Sequence, residues 1–446
     1  MALSRTAKQG SLAAAKRVLT SSSTHLPYIQ SLGRRGLHRT TPISAIGKSM
    51  SPDFKYITHV SHAKGGHEVQ LVPAFLDNRF VPSDAQDWID VHDPATNVAV
   101  SRVPQSTETE LRAAVESAQA AFPAWRATSI LARQQILFKY AALIRQNSER
   151  LANSITLEQG KTIADARGDV LRGLQVVENA CGITSQLQGE VLEVAKDMET
   201  RSYREPLGVV AAICPSNFPA MIPLWTIPIA TVTGNTCIIK PSERTPGATM
   251  ILAELAAQAG FPPGVLNIVH GSTETVDFLI NEPSIKAISF VGSNKAGESI
   301  YEKASAQGKR VQANLGAKNH AALLPDCNKN QALNAIIGAA FGAAGQRCMA
   351  LSALVCIGET KEWINDLTDR AKALSVSGGF EKDADLGPVI TLESKARIEE
   401  IIGTAEREGA TIVLDGRNIK PEGYPEGNFV SHCRHLTEHM MCYVLH

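Results

Sequence analysis

VVAAICPSNFPAMIPLWTIPIATVTGNTCIIKPSE, residues 209–243, decides the fold of this chain. It opens on Val209–Ile213, an unbroken apolar run of the kind expected for a strand buried on both faces. CPSNFP follows, then a helix-like stretch to Thr231 and a second apolar strand, Thr236–Lys240, that leads into PSERTPG. The pattern repeats downstream: a helix over 248–260, a strand over 265–270 with Gly271 behind it, another helix, and a strand over 287–291 ending in GSNKAG at 292–297 before a further helix. Four β-α units in succession predict an α/β fold with a doubly wound parallel sheet, and such sheets bind ligands at the carboxyl ends of their strands.

Upstream, FLDNRF at 75–80 and the stretch 89–92 read as short strands with an Asp-Asn turn, and DPATN at 93–97 is a Pro-bearing turn. Thr107 opens a helix, because it is followed three residues later by Glu110 and then by apolar residues at helical spacing. Further helical stretches are expected over 130–147, 151–160 and 163–186, packing on the later sheet.

Two strand ends suit a nucleotide. At 292–297 bare backbone N–H groups and the Ser293 hydroxyl meet a helix N-terminus, which attracts a pyrophosphate. Lys240 and Glu243 place an ammonium and a carboxylate just past a strand, where they can bond ribose hydroxyls. The strict GxGxxG fingerprint is absent.

Downstream lies FGAAGQRCMALS, residues 341–352. Small residues before Cys348 let the backbone approach a carbonyl, the Cys348 N–H can help hold an oxyanion, and Arg347 is a nearby positive charge for a thiol that needs one.

At 446 residues, the chain can hold two or three domains, and its zero formal net charge gives no general pull toward nucleic acid or an anionic membrane. No apolar run approaches the ~18 residues of a membrane span. The eight cysteines include no CxxC pair, which favours reduced thiols, and Cys237 and Cys356 fall in apolar runs as core residues. Eight basic residues, from Arg5 to Lys48, precede the first acid, Asp53, among many Ser, Thr and Ala. That composition predicts a mitochondrial transit peptide in residues 1–52, cleaved within 35–51, and a matrix location.

CPSNFP, KPSE, FVGSNKAG, NLGAK at 314–318 and GQRCMA occur in the order in which the aldehyde dehydrogenase superfamily carries its functional motifs. Residues 75–430 resemble that superfamily, and LEQGKT, RVQANLGAKNH and AAFGAAGQRCMALS are most similar to its acylating, coenzyme A-dependent semialdehyde branch. The resemblance implies an NAD-binding domain over 53–185 and 206–315, part of an oligomerisation sheet over 186–205, a catalytic domain over 316–430, and a homo-oligomer, a tetramer in the family. It implies Cys348 as nucleophile and Asn217 as oxyanion-hole side chain. Lys240 and Glu243 fall at the ribose, with Arg244 beside them, and Ser293 near the pyrophosphate. Cys214 and Ser216 would line the cofactor site, and Arg172 and Arg347 would hold a substrate carboxylate.

In hydrolytic members a glutamate stands where this chain has Asn314. An amide has no useful basicity, so water is not activated and the thiol of coenzyme A becomes the acyl acceptor. The implied reaction is NAD-dependent oxidation and decarboxylation of methylmalonate semialdehyde to propionyl-CoA, or of malonate semialdehyde to acetyl-CoA, in valine and pyrimidine breakdown. The alternatives are a hydrolytic aldehyde dehydrogenase and an inactive truncated chain. Two departures motivate the last: Ser216 replaces the phenylalanine of close relatives, and after Val430 the family's Gly-Pro-Thr strand and Glu-Ile-Phe-Gly-Pro motif do not follow. Residues 431–446 read instead as an aberrant tail, rich in Cys and His but without the spacing of a metal site.

Overall fold

The computed structural model describes residues 55–56, 69–431, 434–436 and 441–444, so the expected transit peptide lies outside the described residues. Its largest sheet has seven strands in the order Arg310–Asn314, Ile285–Val291, Val209–Ile213, Thr236–Lys240, Leu266–Ile268, Ala74–Leu76, Arg79–Val81. The first five run parallel, and an antiparallel hairpin closes the far edge. Asp77 and Asn78 form its two-residue turn, with φ of 49° and 60°, the conformation that Asp and Asn tolerate best among residues with a side chain.

The apolar runs are continuous because both sheet faces are covered. Val210, Ala212, Cys237 and Ile239 pack into one core with the helices Ile130–Gln146, Ile163–Cys181, Met221–Val232 and Gly247–Ala259. Val209, Ala211, Ile213 and Ile238 pack into the other with the helices Glu108–Ala127, Thr273–Asn281 and Asn294–Ala306. The alternation is the pleat, and each fully buried Val or Ile contributes about 1.5–3 kcal/mol. The helix Glu108–Ala127 starts as its sequence requires: Thr107 Oγ1 accepts from the Glu110 N–H at 3.3 Å and Glu110 Oε2 accepts from the Thr107 N–H at 2.8 Å.

The edge strand Arg310–Asn314 was not expected from the sequence. It alternates exposed and half-buried residues and has a neighbour on one side only, so it lacks the long apolar run of the central strands. The helix expected over 163–186 stops at Cys181 and continues as a 3-10 turn, Ile183–Leu187.

A second sheet has the order Asn319–Leu323, Leu351–Cys356, Met441–Val444, Arg434–Leu436, Thr411–Leu414. Residues past Val430 therefore supply two strands, although their sequence gave no sign of a folded element. Between the large elements, Val191–Ala195 and Met198–Arg201 form a separate two-stranded hairpin with every residue exposed.

Candidate active site

Cys348 follows a turn of unusual conformation. The helix Lys329–Phe341 ends at Gly342, and then Ala343 and Ala344 both adopt φ of 52° before Gly345 at 73°. Gln346 pins the segment beyond it: its Oε1 accepts from the Ile390 N–H at 3.0 Å, and its Nε2 donates to Ala343 O at 3.2 Å. Past the cysteine, Asn319 Nδ2 donates to Cys348 O at 2.9 Å and to Ala350 O at 2.8 Å. Cys348 itself is half-buried with a free thiol.

The thiol opens on a cleft of about 470 Å³, whose wall includes Ser216, Asn217, Ser293, Asn314, Arg347 and Cys348. The sequence scattered these residues over the chain, and the fold brings them together. Among the described residues no carboxylate and no imidazole lines this cleft.

Asn217 reaches the cleft from the turn after Val209–Ile213. Its Nδ2 donates one hydrogen to Gln346 O at 2.8 Å, which leaves the second for an oxyanion, and its Oδ1 is buried without a partner. Beneath it lies Lys161, which sequence reasoning missed. Its Nζ donates to Asn217 O at 2.6 Å and to Asp169 Oδ2 at 3.1 Å, and sits 4.5 Å from the Phe218 ring centre. Lys161 and Asp169 are both almost wholly buried, and Asp169 Oδ1 accepts from the Met221 N–H at 2.7 Å. Burial pushes the Asp169 carboxyl up, while the Lys161 ammonium pulls it back. The only sequence signal for this pair was LEQGKT, which did not reveal that the lysine is buried.

Arg347 folds back over Gly342, where any Cβ would overlap the guanidinium. It donates to the Gly338 carbonyl and to that of Ala339 at 3.3 Å, capping the helix end, and its Nε is buried without a partner. Burial lowers its pKa, and Asp165 opposes that shift. Arg172 is exposed on the helix Ile163–Cys181 and does not line the cleft, although its charge is felt at Arg347.

A neighbouring cleft of about 500 Å³ shares Pro215, Ser216, Gly292 and Ser293 with the first and continues past Cys214, Lys240 and Glu243. Lys240 is buried at its floor, donating to Pro241 O and Gly271 O, each at 2.9 Å, and to Glu243 Oε2 at 3.4 Å. Burial lowers its pKa, and Glu243 opposes that. Burial pushes the Cys214 thiol up to about 12, so it is a wall and not a nucleophile. Ser293 caps the helix Asn294–Ala306, its Oγ accepting from the Ala296 N–H at 3.4 Å, so the first-turn N–H groups face the cleft where an anion would sit. The donor set fits a dinucleotide: a helix N-terminus for the pyrophosphate, and the half-buried Glu243, held through one oxygen by Lys240, for a diol. Arg244 does not line this cleft. It faces a smaller one of about 230 Å³ with His92, Thr391 and Glu393.

Residues 80–433 match the aldehyde dehydrogenase family. The chain belongs to the aldehyde dehydrogenase family. Its similarity extends to the mitochondrial acylating methylmalonate-semialdehyde/malonate-semialdehyde dehydrogenase of Mus musculus, 58% identical over 363 residues, covering 81% of this chain and 68% of that one. The human enzyme of the same description is 54% identical over 389 residues, covering 86% and 73%. Among solved structures, a methylmalonate-semialdehyde dehydrogenase of Sinorhizobium meliloti complexed with NAD superposes with a TM-score of 0.82 at 39% identity, covering 84% of this chain and 77% of that one. The doubly wound sheet expected from residues 209–243 is the family's own.

Proposed function

We propose that this aldehyde dehydrogenase oxidises methylmalonate semialdehyde, decarboxylates the acyl group and transfers it to coenzyme A as propionyl-CoA, with malonate semialdehyde giving acetyl-CoA. One observation carries the choice of acyl acceptor: the Cys348 thiol and the Asn314 amide share a cleft that, among the described residues, has no carboxylate or imidazole on its wall to activate water.

Cys348 Sγ, as thiolate, attacks the aldehyde carbon and forms a tetrahedral thiohemiacetal. Its oxyanion is met by the second Nδ2 hydrogen of Asn217 and by the Cys348 N–H. Lys240, Glu243, Ser216 and Ser293 would hold NAD in the second cleft, where it would supply the hydride acceptor for oxidation of the adduct to a thioester. In this reading Arg347, which lines the cleft, takes the substrate carboxylate, and Arg172, whose charge is felt at Arg347, adds to the positive field. The carboxylate lies β to the thioester carbonyl, so loss of carbon dioxide leaves an enolate stabilised by that carbonyl. Protonation gives the propionyl thioester, and coenzyme A thiolate displaces Cys348 as the leaving thiol. Arg244, which lines a separate cleft, takes no part in this reading.

In this reading the seven-stranded sheet belongs to the NAD-binding domain and the five-stranded sheet to the catalytic one. The exposed hairpin at 191–201, with Val191, Leu192 and Met198 open to solvent, is the element for homo-oligomer formation. The acid-free leader and the mitochondrial relatives together support a matrix location.

Replacing Asn314 by Glu puts a base on the cleft wall. Asn314→Glu is expected to release NADH and free acid continuously without coenzyme A, where the unaltered enzyme stops. An unaltered enzyme that turns over at full rate without coenzyme A would make it a hydrolase instead.

A further inference from the structure

Thr162 caps the helix Ile163–Cys181, its Oγ1 accepting from the Asp165 N–H at 3.3 Å. An acid in a first turn ordinarily serves its own helix dipole. Here the Asp165 carboxylate reaches out of the helix, and its Oδ2 accepts from the Ala343 N–H at 2.7 Å. Ala343 and Ala344 each hold φ of 52°, with ψ of 37° and 36°, and Gly345 follows at φ 73°. A residue with a Cβ adopts that region only when its surroundings hold it there, and two in succession compound the strain. The other half of the Ala343 peptide group is held too, since Ala343 O accepts from the Gln346 N–H at 3.1 Å and from its Nε2 at 3.2 Å. Both polar groups of Ala343 are thus taken, and the turn they fix ends three residues before Cys348.

We propose that Asp165 is a positioning residue for the nucleophile: its carboxylate holds the turn 343–345 in the left-handed conformation and thereby sets the place of the Cys348 thiol in the cleft. The role is geometric, so it depends on a hydrogen-bond acceptor of aspartate length and not on negative charge. The inference rests on Cys348 being the nucleophile.

The test compares the full chain with Asp165→Ala, Asp165→Ser and Asp165→Asn, reading first-turnover NADH formation, the aldehyde KM and thermal unfolding. Serine suits a helix first turn but is too short to reach Ala343, so it separates loss of the loop contact from loss of the helix. Asp165→Ala and Asp165→Ser are expected to slow the first turnover about a hundredfold, the loss that follows a ~1 Å displacement of a reacting group, with little change in KM. Asp165→Asn keeps an oxygen that accepts the same N–H and is expected to restore most of the rate. First turnover at the unaltered rate in Asp165→Ser, or Asp165→Asn as slow as Asp165→Ser, would overturn the proposal. Iodoacetamide labelling located by peptide mass keeps the two readings apart. If alkylated Cys348 still supports NADH formation, the nucleophile assignment fails; if alkylation abolishes it and Asp165→Ser is normal, only the positioning role fails.

Discussion

Asn217 Nδ2 donates to Gln346 O at 2.8 Å, so the turn that ends a strand of the parallel sheet is tied to backbone two residues before Cys348. Thiol and amide are thereby presented as one unit, although 129 residues separate the bonded pair in sequence. Asn217→Ala removes both the tie and the oxyanion donor. Its kcat is expected to fall about 10²–10³-fold, as for loss of one oxyanion-hole donor, with acyl-enzyme formation becoming rate-limiting in stopped flow. A fall of only a few-fold would take Asn217 out of the oxyanion site.

Lys161→Met leaves the Asp169 carboxylate buried without its cation. Breaking such a pair costs about 3–5 kcal/mol, and the double variant Lys161→Met/Asp169→Leu is expected to regain much of that. Chemical denaturation of the two variants measures it. Restored stability without restored turnover would show that the pair also holds the Asn217 backbone in place.

Much of the fold was legible because it is written in local pattern. Val209–Ile213 is apolar throughout and Thr236–Lys240 has an apolar centre, as strands covered on both faces require, and the capping box at Thr107 is a three-residue signal. The edge strand Arg310–Asn314 was not legible, since three of its five residues are exposed and it has a neighbouring strand on one side only. For the site, the family resemblance of the motifs pointed to Cys348, Asn217 and Asn314, but nothing near Lys161 in sequence says that Asp169 and Phe218 enclose it. Likewise, adjacency to Glu243 suggested Arg244 for the cofactor, yet the chain turns there and sends it to a different cleft.

Gly342→Ala places a methyl group against the Arg347 guanidinium, the far end of a flexible side chain. Stability is expected to change little, because the arginine can swing away. The KM for a semialdehyde with a carboxylate is expected to rise far more than that for propionaldehyde. Equal changes for both substrates would argue against Arg347 as the carboxylate partner.

Glu158 is buried, accepting from Tyr56 Oη at 2.7 Å and from the Gly247 N–H at 2.9 Å, and burial pushes its pKa up to about 8 from an ordinary 4.5. Between those values the folded chain holds a proton that the unfolded chain has released. This contribution is therefore fully present below about pH 4.5 and is lost as pH rises to about 8, at about 1.4 kcal/mol per pH unit. Glu158→Gln removes the titration, so the difference in Tm between pH 5 and pH 8 is expected to shrink. An unchanged slope would show that Glu158 does not titrate in this range.

In the proposed reaction an acyl group stays on Cys348 until a thiol takes it. Mixing enzyme, NAD and semialdehyde without coenzyme A, then measuring the intact mass and mapping the adduct, tests this directly. A single burst of NADH and a stable propionyl adduct on Cys348, cleared on adding coenzyme A, is the predicted result. Continuous NADH release with no adduct, or an adduct on another side chain, would contradict it.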